Sequence, residues 1–379
     1  MEKLTTLATN ITKHIATHAT SIWPNFTPTP FILYNGKLQI AVGENWPDNY
    51  THIHNDVWLA KGRDPQLMGN TAITYHGIPV AIWDMRTWPS DVDTAQAASG
   101  VAHEMFHVYQ QTSMTIPQAN ELLLPQYPHS RLSVALTIRE NKLLAQLCQG
   151  HGTIQHCLGK IAALRKQRED EVGASFMEYD KSCESEEGTA AYVEVHMKAR
   201  IQGKSPFECA GYYGKLLQDN GGILTNYRHR CYAAGLALCL ACDSAWPGWQ
   251  TQWQESGQTI FGWMADKIPA GEPVMICADS LKEADAILTQ YRHENEQKIR
   301  GFMSEPYTTI GGDIQLLSFD PMNIVCSNSY CLHLHGSLRI NGEERLLTTP
   351  FVAEYGDTIM DIQQIFLPVQ PGLDDNDES

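Results

Sequence analysis

Five consecutive residues of this 379-residue chain, His103-Glu104-Met105-Phe106-His107, combine types and spacing suited to chemistry. On a helix, positions i and i+4 share a face, so His103 and His107 present two imidazole nitrogens to one tetrahedral ion. Glu104 lies along the same edge, placed to take a proton from a water at that ion. This is the physical content of the H-E-x-x-H pattern, whose usual ion is Zn2+ and whose chemistry is hydrolysis.

The geometry requires a helix, and the flanking residues favour one. Asp93 is a candidate amino-terminal cap, with Gln96 three residues on in the manner of a capping box. Ala95, Ala97, Ala98 and Ala102 are strong helix formers. Gly100 costs about 1 kcal/mol inside a helix; with Ser99 it is expected to leave room for a ligand above the ion.

A catalytic zinc ion takes three protein ligands. Glu187, in Glu184-Ser185-Glu186-Glu187-Gly188-Thr189-Ala190-Ala191-Tyr192, is the candidate for the third, read as the start of a later helix. Gly188, Ala190 and Ala191 would let that helix approach the first closely. Glu184 and Glu187 share a face and repel each other unless a cation neutralises them. The alternative is an acidic helix terminus favoured by the dipole alone.

Taken together, His-Glu-x-x-His followed by Glu-Gly-x-Ala-x-Tyr resembles the gluzincin branch of zincin metallopeptidases. The likeness extends to Gln110, to Arg139-Glu140-Asn141-x-Leu143-Leu144 and to Tyr232-Ala233-Ala234-Gly235, and covers about residues 93–250. It implies a zinc peptidase in which His103, His107 and Glu187 are ligands and Glu104 is the general base. It also implies a Tyr or His that donates to the oxyanion; Tyr232 is the first candidate and Tyr192 the second, with Arg228 and His229 behind them. In zincins an edge strand before the active-site helix pairs with the bound peptide, a role that falls here to residues 78–84 or 71–75.

Around this centre the pattern gives an α+β, zincin-like fold. Residues 1–92 read as an amino-terminal helix (Leu4, Leu7, Ile11, Ile15, Ile22) on a small antiparallel sheet with hairpins at Asn35-Gly36 and His76-Gly77. Residues 93–268 read as a mainly helical zinc-binding unit, with helices at 93–111, 131–148, 153–179, 182–200, 212–217 and 230–245. Residues 269–379 read as a carboxyl-terminal, mainly β accessory domain: a helix at 280–300, then strands at 314–319, 330–340, 344–349 and 359–367, with a turn at Asn341-Gly342. An acidic tail closes the chain from Asp374.

Other features read as structural. His333 and His335 fall on an exposed strand face, His52 and His54 in a Trp- and Asn-rich loop, and His14 and His18 near the amino end. The ten cysteines read as free buried thiols in a reducing cytoplasm, Cys239-Leu240-Ala241-Cys242 included, since no matching second pair exists. A net charge of -16 disfavours nucleic acid. The opening residues do not read as an export signal, and no apolar run is long enough for a membrane span. The expected activity is cleavage of a peptide or protein substrate in the cytoplasm. Two alternatives stay open: a zinc hydrolase of a non-peptide amide or ester, and a catalytically silent protein that binds a partner through its β domain.

Overall fold

The computed structural model describes residues 2–268, 271–356 and 361–369. The acidic tail and the start of the last expected strand, at Ile359, lie outside the described residues. The architecture is α+β.

Helix α1 (Glu2–Ile22) buries Ala8, Ile11, Ile15 and Ala19 and leads into six strands: β1 (Phe31–Tyr34), β2 (Leu38–Val42), β3 (Thr51–His54), β4 (Val57–Lys61), β5 (Thr71–Tyr75) and β6 (Ile78–Asp84). They form one sheet in the order β3-β4-β2-β1-β6-β5. The sheet is mixed, not antiparallel as expected: β1 runs parallel to β6, with Phe31 opposite Ala81 and Tyr34 opposite Asp84. All four residues of β1 are buried, which demands a central position. The β5–β6 hairpin turns its apolar strand, with Val80, Ala81 and Ile82 buried, inward against β1 and leaves β5 at the edge. His52 and His54 belong to β3, the opposite edge strand, rather than to a loop.

The helical unit comprises α2 (Thr94–Ser113), α3 (Arg131–Cys148), α4 (Ile154–Val172), α5 (Ala174–Gln202), α6 (Pro206–Cys209), α7 (Gly211–Gln218), α8 (Gly222–Thr225), α9 (Tyr227–Ala245), α10 (Trp249–Ser256) and α11 (Ile260–Ala265). Asp93 caps α2, accepting from the Gln96 amide at 2.7 Å. The expected helices at 153–179 and 182–200 are divided differently. Gly173, at φ 95°, ends α4 and starts the 29-residue α5. Glu187 therefore sits mid-helix, and the dipole alternative for its acidity falls.

Helices α5 and α9 cross at glycines. A Cβ on Gly188 would meet the Gly235 Cα at 2.3 Å, and one on Gly235 would meet the Glu184 carbonyl oxygen at 2.1 Å. Gly188 thus admits α9, not α2 as the sequence suggested. Gly100 likewise makes no room for a ligand: the Trp83 indole of β6 lies 2.5 Å from where its Cβ would stand.

Behind this crossing lies a buried ionic cluster of three arginines and three carboxylates. Arg165 donates to Glu140 at 2.9 Å and to Glu184 at 2.8 Å. Arg168 donates to Glu140 and to Asp180, and Arg230 reaches Glu140 at 3.0 Å. Tyr127 and Tyr227 complete the ring of partners on Asp180. Burial would raise the Glu140 carboxyl, but the three guanidinium groups outweigh it and hold it well below the usual carboxylate range.

Helix α12 (Ala278–Ser304) introduces the last unit, with β7 (Tyr307–Gly311), β8 (Ile314–Phe319), β9 (Val325–Ser327), β10 (Tyr330–His333), β11 (Gly336–Ile340), β12 (Glu343–Leu347), β13 (Phe351–Tyr355) and β14 (Ile362–Pro368). They form sheets β7-β14-β13-β10-β9 and β12-β11-β8 around a shared core. The single strand expected at 330–340 is two, broken at Leu334-His335 so that β10 and β11 join different sheets. His333 is buried, hydrogen-bonded to the Tyr355 hydroxyl at 2.9 Å, and is not on an exposed face. Cys326 and Cys331, facing each other across β9 and β10, form a disulfide, which corrects the reading of ten free thiols. Cys239 and Cys242 are buried in α9, and burial holds their thiols well above the usual value, so neither is reactive.

Two outcomes follow for stability. Gly235→Ala, which forces backbone apart, lowers the unfolding free energy in urea by about 2–3 kcal/mol, whereas Gly211→Ala, with open space at its Cβ, leaves it unchanged or slightly raised. Glu140 binds its proton more weakly folded than unfolded. Its contribution is therefore present above the unfolded value of 4.5 and lost as pH falls through the native one. Glu140→Gln removes that acid-side dependence and costs roughly 3–5 kcal/mol at pH 7, read from denaturation curves between pH 3 and 7.

Candidate metal centre

The middle of α2 is buried on all sides, so its polar residues must find partners inside the protein. His103, Glu104 and His107 are 6%, 7% and 9% exposed. Both imidazoles turn Nε2 toward one oxygen of Glu187 on α5, at 3.6 Å from His103 and 3.2 Å from His107. One ligand atom from each of the three residues lies within 4.8 Å of the others. The structure thus brings together the three residues that the sequence singled out as ligands.

That Glu187 oxygen, Oε2, is buried and accepts no hydrogen bond. Its partner oxygen is taken by Arg228 Nη1 at 2.7 Å. An orphaned carboxylate oxygen facing two imidazole nitrogens is a donor set that fits a divalent cation. Burial pulls the His103 imidazole down, but Glu187 and Glu194 outweigh it and push it up to about 10. A proton on Nε2 then stands where a metal would stand. Burial would raise Glu187, yet His107 and Arg228 hold it well below its usual range.

The other ring nitrogens are fixed from behind. His103 Nδ1 faces Glu194 Oε2 at 3.2 Å, and Glu194 accepts from the Tyr213 hydroxyl at 2.9 Å. Glu194 lies seven residues, two turns, after Glu187 and so shares its face of α5. Gln110 gives its amide hydrogens to the Glu186 carbonyl and Thr189 Oγ1, at 2.7 and 2.9 Å, which leaves its oxygen for His107 Nδ1 at 2.7 Å. Both Nδ1 atoms are thus held by oxygen acceptors, which turns both Nε2 atoms toward Glu187. Sequence reasoning noted Gln110 only by resemblance and missed Glu194; its i+7 spacing from Glu187 was the available signal.

Glu104 lines a small cavity with Val101, Phe31 and Ile32 of β1, and Ala81, Ile82 and Trp83 of β6. Burial raises its carboxyl, against the pull of His103 and His107. Tyr232 stacks on His103 with centroids 5.7 Å apart, and its hydroxyl accepts from Arg228 at 3.0 Å. Burial, then the Glu187 charge, hold this phenol well above its usual value, so it keeps a proton to donate. Tyr192 is elsewhere. Five residues past Glu187 it faces another side of α5, and its hydroxyl is bound to Asp243 at 2.9 Å and to Gln250 at 3.1 Å. His229 stands behind Tyr232, rings 5.7 Å apart. Of the two strands proposed to pair with substrate, β6 is interior and only β5 has a free edge.

Comparison with protein-family models, with curated proteins and with solved structures finds no match to this chain. Among the described residues, no helix is long and apolar enough to cross a membrane.

Loss of a group that orients a ligand weakens metal binding by about 10–100-fold. Glu194→Gln and Gln110→Ala each show that loss in competition with a coloured chelator, while Tyr192→Phe retains wild-type affinity.

Proposed function

We propose that this chain is a zinc-dependent metallopeptidase with a zincin-like catalytic core of the gluzincin type. The observation that carries the reading is the buried, unpartnered Glu187 oxygen set against the Nε2 atoms of His103 and His107. A zinc ion bound there supplies a Lewis acid that acidifies a water and polarises a carbonyl.

The chain's own groups divide the remaining work. Glu104, its pKa raised by burial, takes the proton of the attacking water and returns it to the leaving amine. Tyr232 donates a hydrogen bond from its hydroxyl to the oxygen that gains charge, keeping its proton, with Arg228 holding that hydroxyl from behind. Arg228 also occupies Glu187 Oε1, leaving a single oxygen of that carboxylate for an ion. The free edge of β5 aligns an extended peptide by strand addition. This last role favours a peptide over a non-peptide amide or ester.

The test is zinc content per chain, followed by cleavage of a mixed peptide library read by mass spectrometry. One zinc per chain is expected, with cleavage reduced about 10²–10⁴-fold in Glu104→Gln while zinc is retained. Tyr232→Phe lowers kcat by about 10²–10³ with KM little changed. Zinc without cleavage of any peptide would favour the ester or partner-binding alternatives, and a chain that takes up no divalent metal would sink the proposal.

A further inference from the structure

Arg228 is shared between two carboxylates, and the sharing is uneven. Its Nη1 donates to Glu187 Oε1 at 2.7 Å and to the Tyr232 hydroxyl at 3.0 Å. Its other two nitrogens turn to Glu121. Nε donates to Glu121 Oε1 at 2.9 Å, and Nη2 lies 2.9 Å from the same oxygen. Only 12% of the Arg228 side chain is exposed, so these carboxylates, rather than water, decide where its donors point.

The arrangement departs from what an isolated pair would adopt. A guanidinium and a carboxylate prefer two parallel N–H···O contacts, one to each oxygen. Glu187 receives Arg228 at Oε1 alone. Oε2, the oxygen that a second contact would take, is the one left facing His103 and His107. A two-pronged grip by Arg228 would therefore fill the position that this donor set offers to a cation. The competing pull on the guanidinium comes from Glu121.

Glu121 is itself held in place. It opens a short 3-10 helix, Glu121–Gln126, capped by Asn120, whose side chain accepts from the Leu122 amide at 3.2 Å. Its second oxygen accepts from the Tyr179 hydroxyl of α5 at 3.0 Å. Leu122 packs against the core of the carboxyl-terminal unit, while Leu123 and Leu124 pack against the cluster that contains Tyr179 and Cys231. The turn is thus wedged between two units, with its carboxylate on the Nε edge of Arg228. The Glu121 charge also offsets Arg228, a like charge beside any cation bound to Glu187.

We propose that Glu121 is a positioning residue for the metal: by holding the Nε and Nη2 edge of Arg228, it keeps that guanidinium to one oxygen of Glu187 and reserves the other for the ion. The inference rests on the reading of His103, His107 and Glu187 as a metal centre, and not on peptide cleavage. Glu121 acts through Arg228 rather than on the ion. The carboxyl-terminal unit, which packs on Leu122, thereby helps to set the ligand geometry.

The test measures the zinc affinity of the full chain by competition with a coloured chelator. Glu121→Ala removes the restraint and is expected to weaken binding about 10–100-fold. Glu121→Leu, close in volume and equally without an acceptor, is expected to do the same and keeps the test sound if the alanine variant misfolds. Arg228→Met carries neither charge nor fork, so Glu121 has nothing to act through. In that background the loss caused by Glu121→Ala is expected to shrink below about threefold, whereas a merely structural role for Glu121 gives losses that add. Affinity unchanged in both Glu121 variants, or additive losses in the double variant, overturns the inference and leaves the metal centre standing. A native chain that takes up no zinc overturns both.

Discussion

A carboxylate removed from water must be neutralised, and Glu187, 4% exposed, is paired with a single guanidinium. One of its oxygens is answered by Arg228 and the other only by two imidazole edges. Three helices converge to meet the need. Helix α2 brings the imidazoles, α9 brings Arg228 and Tyr232, and α5 brings Glu187 itself with Glu194 two turns on. The two imidazoles are in turn held by Glu194 and Gln110, each with a further partner of its own, so the orientation of His103 and His107 is fixed by the protein alone.

The ionic cluster formed by Arg165, Arg168, Arg230, Glu140, Asp180 and Glu184 extends the same constraint one layer deeper. Glu184 lies one turn before Glu187, and Arg230 lies two residues after Arg228, so the two networks share their helices. Replacing such a cluster by apolar residues could match its stability. What apolar residues would not supply is the directional fixing of α3, α4, α5 and α9 against one another behind the ligands.

The sequence displayed the centre more clearly than the frame around it. His103, Glu104 and His107 were readable because a four-residue helical period places them on one face whatever the rest of the fold does. Glu187 was readable because its neighbours Gly188, Ala190 and Ala191 mark a close crossing, although the helix crossed by Gly188 is α9 rather than α2. Tyr232 was separated from Tyr192 only by the structure, since the choice depends on which side of α5 faces α2. The parallel pairing of β1 with β6, the break at Gly173 and the split of 330–340 were hidden for a common reason. Each is decided by long-range packing or by a single backbone torsion, and neither leaves a periodic trace. The Cys326–Cys331 pair was masked by eight other thiols scattered through the chain.

The glycine crossing of α5 and α9 has a mechanical meaning. With backbone against backbone at Gly188 and Gly235, the two helices have no side-chain layer through which to slide. Glu187, Glu194, Arg228 and Tyr232 then travel as one rigid body. Any opening of the structure must be taken up at the softer seams, where α2 and its sheet meet this pair or where the segment before β9 lies against Arg228. The chassis stays fixed, and the doors are at its edges.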